Sequence, residues 1–183
     1  MLAVAAGFLP PWVDALLSGF PFLLPLDLRL RYFRSLAFGV TRSVAYLQQE
    51  SSVEERAREA AAGERAGVSR SQLLQHAEQV MSMYTPSKAV LEFRFAGEKG
   101  LGAGVTASFY SAVAAELQRR SVNTKLPMWV DNDSTGDPQS FLAPTSGLFP
   151  APLPALAQQR RSVIGRFRFL GRLAARCLMD GQV

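Results

Sequence analysis

The chain has 183 residues, a length that suits one ordinary domain rather than a multidomain protein. Hydrophobic residues make up 48% of it and charged residues 19%, which excludes a chain that is disordered throughout. The formal net charge is +5, and the single cysteine and single histidine exclude an intrachain disulfide framework and a Cys/His zinc cluster.

The arginine excess leaves two interpretations open. Basic residues are spread along the chain, with denser zones at 29–34 and 160–176. A nucleic-acid binder usually gathers such residues into one patch with aromatic side chains or a reading motif. We therefore interpret the arginines as solvated helix faces, and we expect neither a nucleic acid nor a membrane as a partner.

The apolar start of the chain has neither the basic region of a secretory signal nor the ~20 uninterrupted apolar residues of a membrane span. We therefore expect an intracellular protein, cytoplasmic or nuclear.

The first 50 residues predict a helical segment, with a helix from about Asp27 to Gln49. Residues 51–67 are charged and small, which predicts an exposed helical or disordered linker.

Residues 69–84 predict an amphipathic helix. Ser69 and Gln72 have the spacing of a capping box, in which each side chain satisfies a free backbone N–H of the first turn. His76 lies at the edge of the apolar stripe and has no titrating neighbour in the sequence. We interpret it as a partly exposed structural histidine rather than a general base. The stripe expected to face the core consists of Leu73, Leu74, Ala77, Val80, Met81 and Tyr84.

A strand, a glycine cluster and a second helix follow. Apolar residues alternate with charged ones at Leu91, Phe93 and Phe95, which predicts a strand over about 89–96 with one buried face. The glycines at 97–104 could cradle a phosphate at the start of the next helix. They lack both the Gly-Lys-Ser/Thr and the GxGxxG pattern, so we interpret the cluster as a tight turn. The helix is expected to bury Phe109, Tyr110, Val113 and Leu117.

The rest of the chain predicts a loop-rich segment over 121–160 and a final helix from about Ser162 to Asp180. The acidic run at Asp131–Ser134 lacks the bidentate Glu of an EF-hand, so we expect a surface loop, and no metal or cofactor anywhere in the chain. Cys177 is placed on the buried side of the final helix, as a structural thiol rather than a nucleophile. That apolar face is expected to carry Val163, Phe167, Leu170, Ala174 and Cys177, flanked by Leu173 and Leu178, with Arg168, Arg172 and Arg176 opposite.

Three stretches, in order, resemble the HECT domain of E3 ubiquitin-protein ligases. The first, KAVLEFRFAGEKGLGAGVTASFYSAVAAELQ (88–118), resembles the domain's opening strand, glycine loop and Phe-Tyr helix. The second, GLFPAPLP (147–154), is similar to its Gly-Leu-Phe-Pro segment. The third, FRFLGRLAARCLMDGQ (167–182), is similar to its Phe-Leu-Gly-Arg helix.

Two upstream stretches, 21–44 and 68–92, are similar to the subgroup that contains the plant KAKTUS ligase and the animal thyroid-receptor-interacting ligase. The chain departs from the family at Val105, Ser108 and Arg176, where Pro, Glu and Lys are usual. Loss of that Glu would remove a local hydrogen bond or ion pair and leave the fold unchanged.

The resemblance implies a predominantly helical α+β fold, with residues 68–183 as the N-terminal portion of a HECT N-lobe. Residues 1–50 would be the helical segment preceding the HECT domain, and 51–67 the linker. The matching positions that we expect to be structural are Gly97, Glu98, Gly100, Gly102, Gly104, Thr106, Phe109, Tyr110, Gly147, Leu148, Phe149, Pro150, Phe169, Leu170, Gly171, Arg172 and Asp180.

The resemblance also implies an activity, the transfer of ubiquitin from an E2 thioester through a ligase cysteine to a substrate lysine. The implied partners are ubiquitin, an E2 enzyme and protein substrates. In the family that cysteine lies in a C-terminal lobe, so we expect it beyond Val183 and expect the chain to be inactive alone, with no catalytic residue of its own. The alternative is a non-catalytic protein-interaction module derived from a HECT N-lobe.

Overall fold

The computed structural model describes residues 2–48, 64–84, 91–132, 136–154 and 158–182. Within these ranges the protein is mostly helical with one small two-stranded parallel sheet, which confirms the predicted α+β class. The chain divides into two compact units. The first unit draws on residues 1–64, 87–92 and 177–183, and the second unit on residues 65–86 and 93–176.

The first unit is built around one long helix. Pro11 opens α2 because its fixed φ suits the first helical position and its missing N–H leaves no donor unpaired there. The predicted helix from about Asp27 to Gln49 is confirmed as far as Gln48, apart from one kink, and Gln49 lies outside the described residues. The elements are α1 (Leu2–Ala5), α2 (Pro11–Gly19), a 3-10 turn (Pro21–Leu23) and α3 (Leu26–Gln48).

A kink divides α3 at Gly39. The backbone there has φ 74° and ψ −174°, a region that only glycine populates readily because it has no Cβ. Before the kink, the Tyr32 hydroxyl donates to Asp14 Oδ1 of α2 at 2.6 Å, and this bond to a carboxylate raises the pKa of Tyr32. The Arg34 Nε donates to the Leu178 carbonyl oxygen at 3.1 Å. These contacts hold two sides of α3 within the first unit.

The second unit has an aromatic core between its strands and helices. Along β2, Leu91, Phe93 and Phe95 are buried and Arg94 is exposed, as the alternation predicts. The elements that lie wholly or mostly in this unit are β1 (Glu64–Val68), a 3-10 turn (Arg70–Gln72), α4 (Leu73–Tyr84), β2 (Leu91–Phe95), α5 (Ala103–Leu117), α6 (Arg120–Lys125) and α7 (Arg160–Met179). Its buried apolar residues include Val68, Ala77, Val80, Met81, Phe109, Val113, Leu117, Met128, Leu142, Val163 and Leu173.

Two expectations about the start of this unit are wrong. Residues 64–67, assigned to the linker, belong to strand β1, which pairs with β2 and buries Ala66 and Val68. A strand of five residues that buries only two apolar side chains has too weak a pattern to be recognised by periodicity. Residues 51–63 lie outside the described part of the chain.

The predicted capping box is also absent. Ser69 makes no side-chain cap, and a 3-10 turn separates it from α4. Its hydroxyl instead pairs with the hydroxyl of Ser71 at 2.9 Å, while its backbone N–H donates to Nδ1 of His76 at 3.0 Å. His76 is half-buried, as expected, and its structural role stays a prediction that this backbone contact supports.

The buried stripe of α7 is rotated by about one residue position from the predicted one. Ala174 is exposed, and Phe167, Leu170 and Cys177 are only half-buried. Arg176 was expected on the polar face, yet it is 5% exposed. An arginine can bury its aliphatic stem, whereas a simple apolar pattern counts it as polar and moves the predicted stripe away from it. The residues that are buried on α7 are Val163, Phe169, Leu173 and Arg176.

Among the described residues, no helix combines the length and the apolar character that crossing a membrane requires.

Candidate functional site

The glycine loop between β2 and α5 forms a tight turn. Gly97 and Gly102 have φ of 81° and 97°, values at which a side chain would be strained. The Gly102 carbonyl oxygen accepts hydrogen bonds from the backbone N–H groups of Val105 and Thr106, at 3.1 and 3.2 Å. A Cβ on Gly100 would lie 3.1 Å from the Val105 side chain. Val105, the departure from the usual proline, therefore packs against this loop.

The Phe-Tyr motif of α5 lies in the core. Phe109 stacks on Phe93 of β2 with ring centroids 3.7 Å apart, and Tyr110 contacts both rings edge-on. Thr106 is 3% exposed, and its hydroxyl accepts a long hydrogen bond of 3.5 Å from the Phe93 N–H. The three motif residues therefore fasten α5 to the strand and have no surface at which to meet a substrate. Ser108, the other departure in this helix, is exposed.

Glu98 makes a two-point ion pair with Arg70. The Arg70 Nε and Nη2 lie 2.5 and 3.2 Å from the two carboxylate oxygens, and the guanidinium also stacks over Phe95 at 3.7 Å from the ring centroid. The hydrogen bonds from Arg70 lower the pKa of Glu98. This pair ties the glycine loop to the turn before α4. Nothing in the sequence identified Arg70, because its partner lies 28 positions away.

The Gly-Leu-Phe-Pro segment is held by backbone pairing with residues 128–130. The Val130 N–H donates to the Phe149 carbonyl oxygen and the Ala151 N–H to that of Met128, both at 2.8 Å. Gly147 turns the chain with φ 84°. Phe149 is nevertheless 72% exposed, whereas Leu148 is half-buried. The segment is thus a fixed edge that presents one aromatic ring to solvent.

Asn123 holds residues 128–130, the stretch that pairs with that segment. Its Oδ1 accepts hydrogen bonds from the N–H groups of Met128 and Trp129, both at 2.9 Å, and its Nδ2 donates to the Trp129 carbonyl oxygen at 3.0 Å. The Trp129 indole N–H donates to the carbonyl oxygen of Leu117 at 2.9 Å. Asn123 therefore satisfies three backbone groups of a buried loop. The sequence offered no signal for it.

A cleft of about 480 Å³ lies beside α7 in the second unit. Arg166 and Glu78 form an ion pair in it, with Nε and Oε1 2.7 Å apart. Phe169 is buried beneath it, and the motif residues Leu170 and Gly171 lie at the same level of the helix, half-buried and exposed. The lining residues are Glu78, Ser82, Leu126, Ser162, Gly165, Arg166, Phe169 and Arg172.

The Cys177 thiol is poorly suited to nucleophilic chemistry. It is half-buried, and its Sγ–H donates to the Gln182 carbonyl oxygen. Burial raises the pKa of Cys177, and the negative charge of Asp180 raises it further. A reactive thiol needs the opposite, which is exposure and a nearby positive charge. This environment supports the structural role assigned from the sequence, although the burial is less complete than predicted.

In the acidic run at Asp131–Ser134, Asp131 forms an ion pair with Arg120. Both carboxylate oxygens of Asp131 lie within 2.8 Å of Arg120 Nη1, and Asp133 and Ser134 lie outside the described residues. Among the residues whose placement is described, no three His, Cys, Asp or Glu side chains come together as metal ligands.

The whole chain is similar to part of several much longer proteins. It is 37% identical over 209 residues to E3 ubiquitin-protein ligase UPL3 of Arabidopsis thaliana and 34% identical over 225 residues to E3 ubiquitin-protein ligase hecd-1 of Caenorhabditis elegans. It is 32% identical over 200 residues to ubiquitin fusion degradation protein 4 of Saccharomyces cerevisiae.

Each of these three alignments covers 100% of the chain but only 11%, 8% and 13% of the relative, in that order. The chain therefore spans about a tenth of the length of these relatives. No family model matches the chain. These findings confirm the resemblance to HECT-type E3 ligases, and the KAKTUS subgroup stays a prediction.

Proposed function

Since the chain is homologous along its whole length to a short part of HECT-type E3 ubiquitin-protein ligases, we propose that residues 68–183 are the first part of a HECT N-lobe. Residues 1–50 are then the helical segment that precedes the domain, and strand β1, part of which was assigned to the linker from the sequence, belongs with the lobe because it pairs with β2. The single observation that carries this proposal is the full coverage of the chain at 32–37% identity in three ligases from a plant, an animal and a yeast.

The contacts of the motif residues support a scaffolding role for this stretch. Thr106, Phe109 and Tyr110 are buried, and Phe109 stacks on Phe93. Glu98 is paired with Arg70, and Gly147 and Pro150 lie in the segment that pairs with Trp129. Residues with such contacts build and stiffen a lobe. They do not touch the atoms that react.

The proposed activity belongs to the whole ligase. A ligase thiolate attacks the thioester carbonyl of ubiquitin on the E2, a new thioester forms, and the E2 thiolate leaves. The substrate lysine amine then attacks that thioester, an amide forms, and the ligase thiolate leaves. Cys177 is not the nucleophile in this proposal, because its pKa is raised by burial and its Sγ–H is engaged with Gln182. Ubiquitin, an E2 and protein substrates are the proposed partners of the complete ligase.

A chimeric ligase tests the proposal. The stretch of yeast ubiquitin fusion degradation protein 4 that aligns with this chain is replaced by residues 1–183, and autoubiquitination is followed with E1, E2 and ubiquitin. We expect the chimera to be active, and to remain active with Cys177→Ser. A folded but inactive chimera, or loss of activity on Cys177→Ser, would contradict the assignment.

The isolated chain provides the complementary test. Incubated with E1, E2, ATP and ubiquitin, it should form no adduct that a thiol reductant removes. A reductant-sensitive ubiquitin adduct that disappears in Cys177→Ser would make this thiol a ubiquitin acceptor. An inactive chimera together with specific binding of an intact ligase by the isolated chain would instead favour the non-catalytic interaction module.

A further inference from the structure

Helix α3 exposes an apolar face at a regular spacing. Leu26 is 62%, Phe33 36% and Leu36 51% exposed, and Arg29, also exposed, falls between the first two. The steps between the four residues are three, four and three positions, so all four lie along one side of the helix. We call these four residues, Leu26, Arg29, Phe33 and Leu36, the α3 seam.

The side of α3 that faces away from the seam is partly covered. Ser35 and Phe38, on the side away from the seam, are 6% and 9% exposed. Tyr32 is held by Asp14 of α2, and Arg34 by the Leu178 carbonyl oxygen. Leu28 and Arg31 are also exposed, but the seam is the side on which exposed apolar residues recur along three turns of the helix.

The spacing of the seam is that by which one helix packs along another. Apolar residues alternating at three and four positions supply the knobs of such a packing, and recognition grooves use the same anchors. A membrane surface would instead be met by several Lys and Arg flanking the apolar face, whereas the seam carries a single cation. The pattern therefore favours a helix as the ligand.

Arg29 selects the chemistry of that helix. The nearest acidic residue on α3, Asp27, lies two positions away, and residues at that spacing do not face each other. A second copy of the chain that paired seam to seam would bring no carboxylate of its own seam to Arg29 and would bury Arg29 against apolar groups or another arginine, which is costly. A charged side chain that loses its water on docking needs a partner of the other sign across the interface.

We propose that the α3 seam docks an amphipathic helix of a partner protein that places a carboxylate opposite Arg29. This inference concerns an interaction surface and does not depend on ubiquitin transfer. It rests on the exposure and spacing of the seam and on the charge within it.

Charge-swapped peptides test the docking with the full chain. The probe is a fluorescent synthetic helical peptide of about three heptads, with Leu at its a and d positions and Glu beside them; its twin carries Lys in place of Glu. Fluorescence anisotropy should show the wild-type chain binding the Glu peptide at least roughly tenfold more tightly than the Lys peptide. Arg29→Glu should reverse this preference, and Leu36→Ser should weaken the Glu peptide by a similar factor.

Arg31→Glu is the matched control, because it makes the same charge change on an exposed residue of α3 outside the seam. It should retain the preference for the Glu peptide, and far-UV circular dichroism should be alike for all variants.

Several results would overturn the proposal. They are no binding of the Glu peptide, equal effects of Arg29→Glu and Arg31→Glu, and seam-dependent binding to phosphatidylcholine/phosphatidylserine vesicles in place of the peptide. A dimer in sedimentation equilibrium that Leu36→Ser dissolves would also do so, by making a second copy the occupant.

Discussion

The rings of Phe93 and Phe109 stack face to face, 3.7 Å between centroids and within 9° of parallel. Phe93 comes from β2 and Phe109 from α5, and both are almost completely buried. The glycine loop between these elements brings the two rings together. The stack therefore packs strand β2 of the second unit directly onto helix α5.

Replacing the ring of Phe109 should strongly destabilise the protein. Phe109→Ala removes a fully buried side chain and leaves a cavity, so we expect a loss of about 3–5 kcal/mol in the free energy of unfolding. Phe149→Ala is the matched control, because Phe149 is 72% exposed and should change stability by less than about 0.5 kcal/mol. Urea denaturation followed by circular dichroism measures both, and similar losses would contradict the packing.

Asn123 should be essential for the order of the loop around Trp129. Asn123→Ala leaves two buried N–H groups and one carbonyl without their partner, and each unsatisfied group costs about 1–3 kcal/mol. The emission of Trp129 should shift to longer wavelength as its surroundings admit water. The comparison is made in a Trp12→Phe background, since Trp12 is 64% exposed and would obscure the signal. An unchanged spectrum and stability would rule out this role.

The ion pair of Glu98 gives a prediction about pH. Because Arg70 lowers the pKa of Glu98, the pair contributes stability above the ordinary carboxyl pKa, and this contribution is lost as the pH falls through the lowered value. Carbon-detected NMR titration of Glu98 should show a pKa below the ordinary glutamate range. Arg70→Gln should return it toward that range, while Arg94→Gln, at another exposed arginine, should leave it lowered. A Glu98 pKa that is indifferent to Arg70→Gln would exclude the pair in solution.

Replacing each of two glycines at the start of α5 with alanine should change the free energy of unfolding in opposite directions. Gly102→Ala forces a side chain onto a residue with φ 97°, and backbone strain of this kind costs about 1–3 kcal/mol. Gly104 lies in the first turn of the helix with open space at its Cβ position, so Gly104→Ala should stabilise by about 0.4–1 kcal/mol. Thermal unfolding of the two variants checks the signs, and equal signs would contradict the loop conformation.

The predictions from sequence hold where a local pattern decides the structure. The helix at 26–48, the strand at 91–95 and the buried face of α5 all follow from hydrophobic period and from the residues that end each element. They fail where distant residues decide. Strand β1 exists because β2 is there to pair with it, and the burial of Arg176 depends on packing that no pattern within α7 records.

The contacts of the motif residues divide in the same way. The turn at Gly97 and Gly102 could be predicted because glycine alone tolerates such backbone angles. The roles of Arg70 and Asn123 could not be predicted. The carboxylate that pairs with Arg70, that of Glu98, lies 28 positions away, and Asn123 bonds backbone groups, which any residue type supplies. The resemblance to the family identified the motif positions, and the structure shows which side chains and backbone groups contact them.

The kink at Gly39 sets how far a bound helix can follow α3. From Leu26 to Leu36 the seam runs ten residues, or about 15 Å at 1.5 Å per residue, and three residues further on the helix axis breaks. A rigid partner helix can stay in register for about three turns and no longer. So short a track limits the area that a docked helix can bury, and Gly39→Ala would strain the backbone at the kink without extending the track.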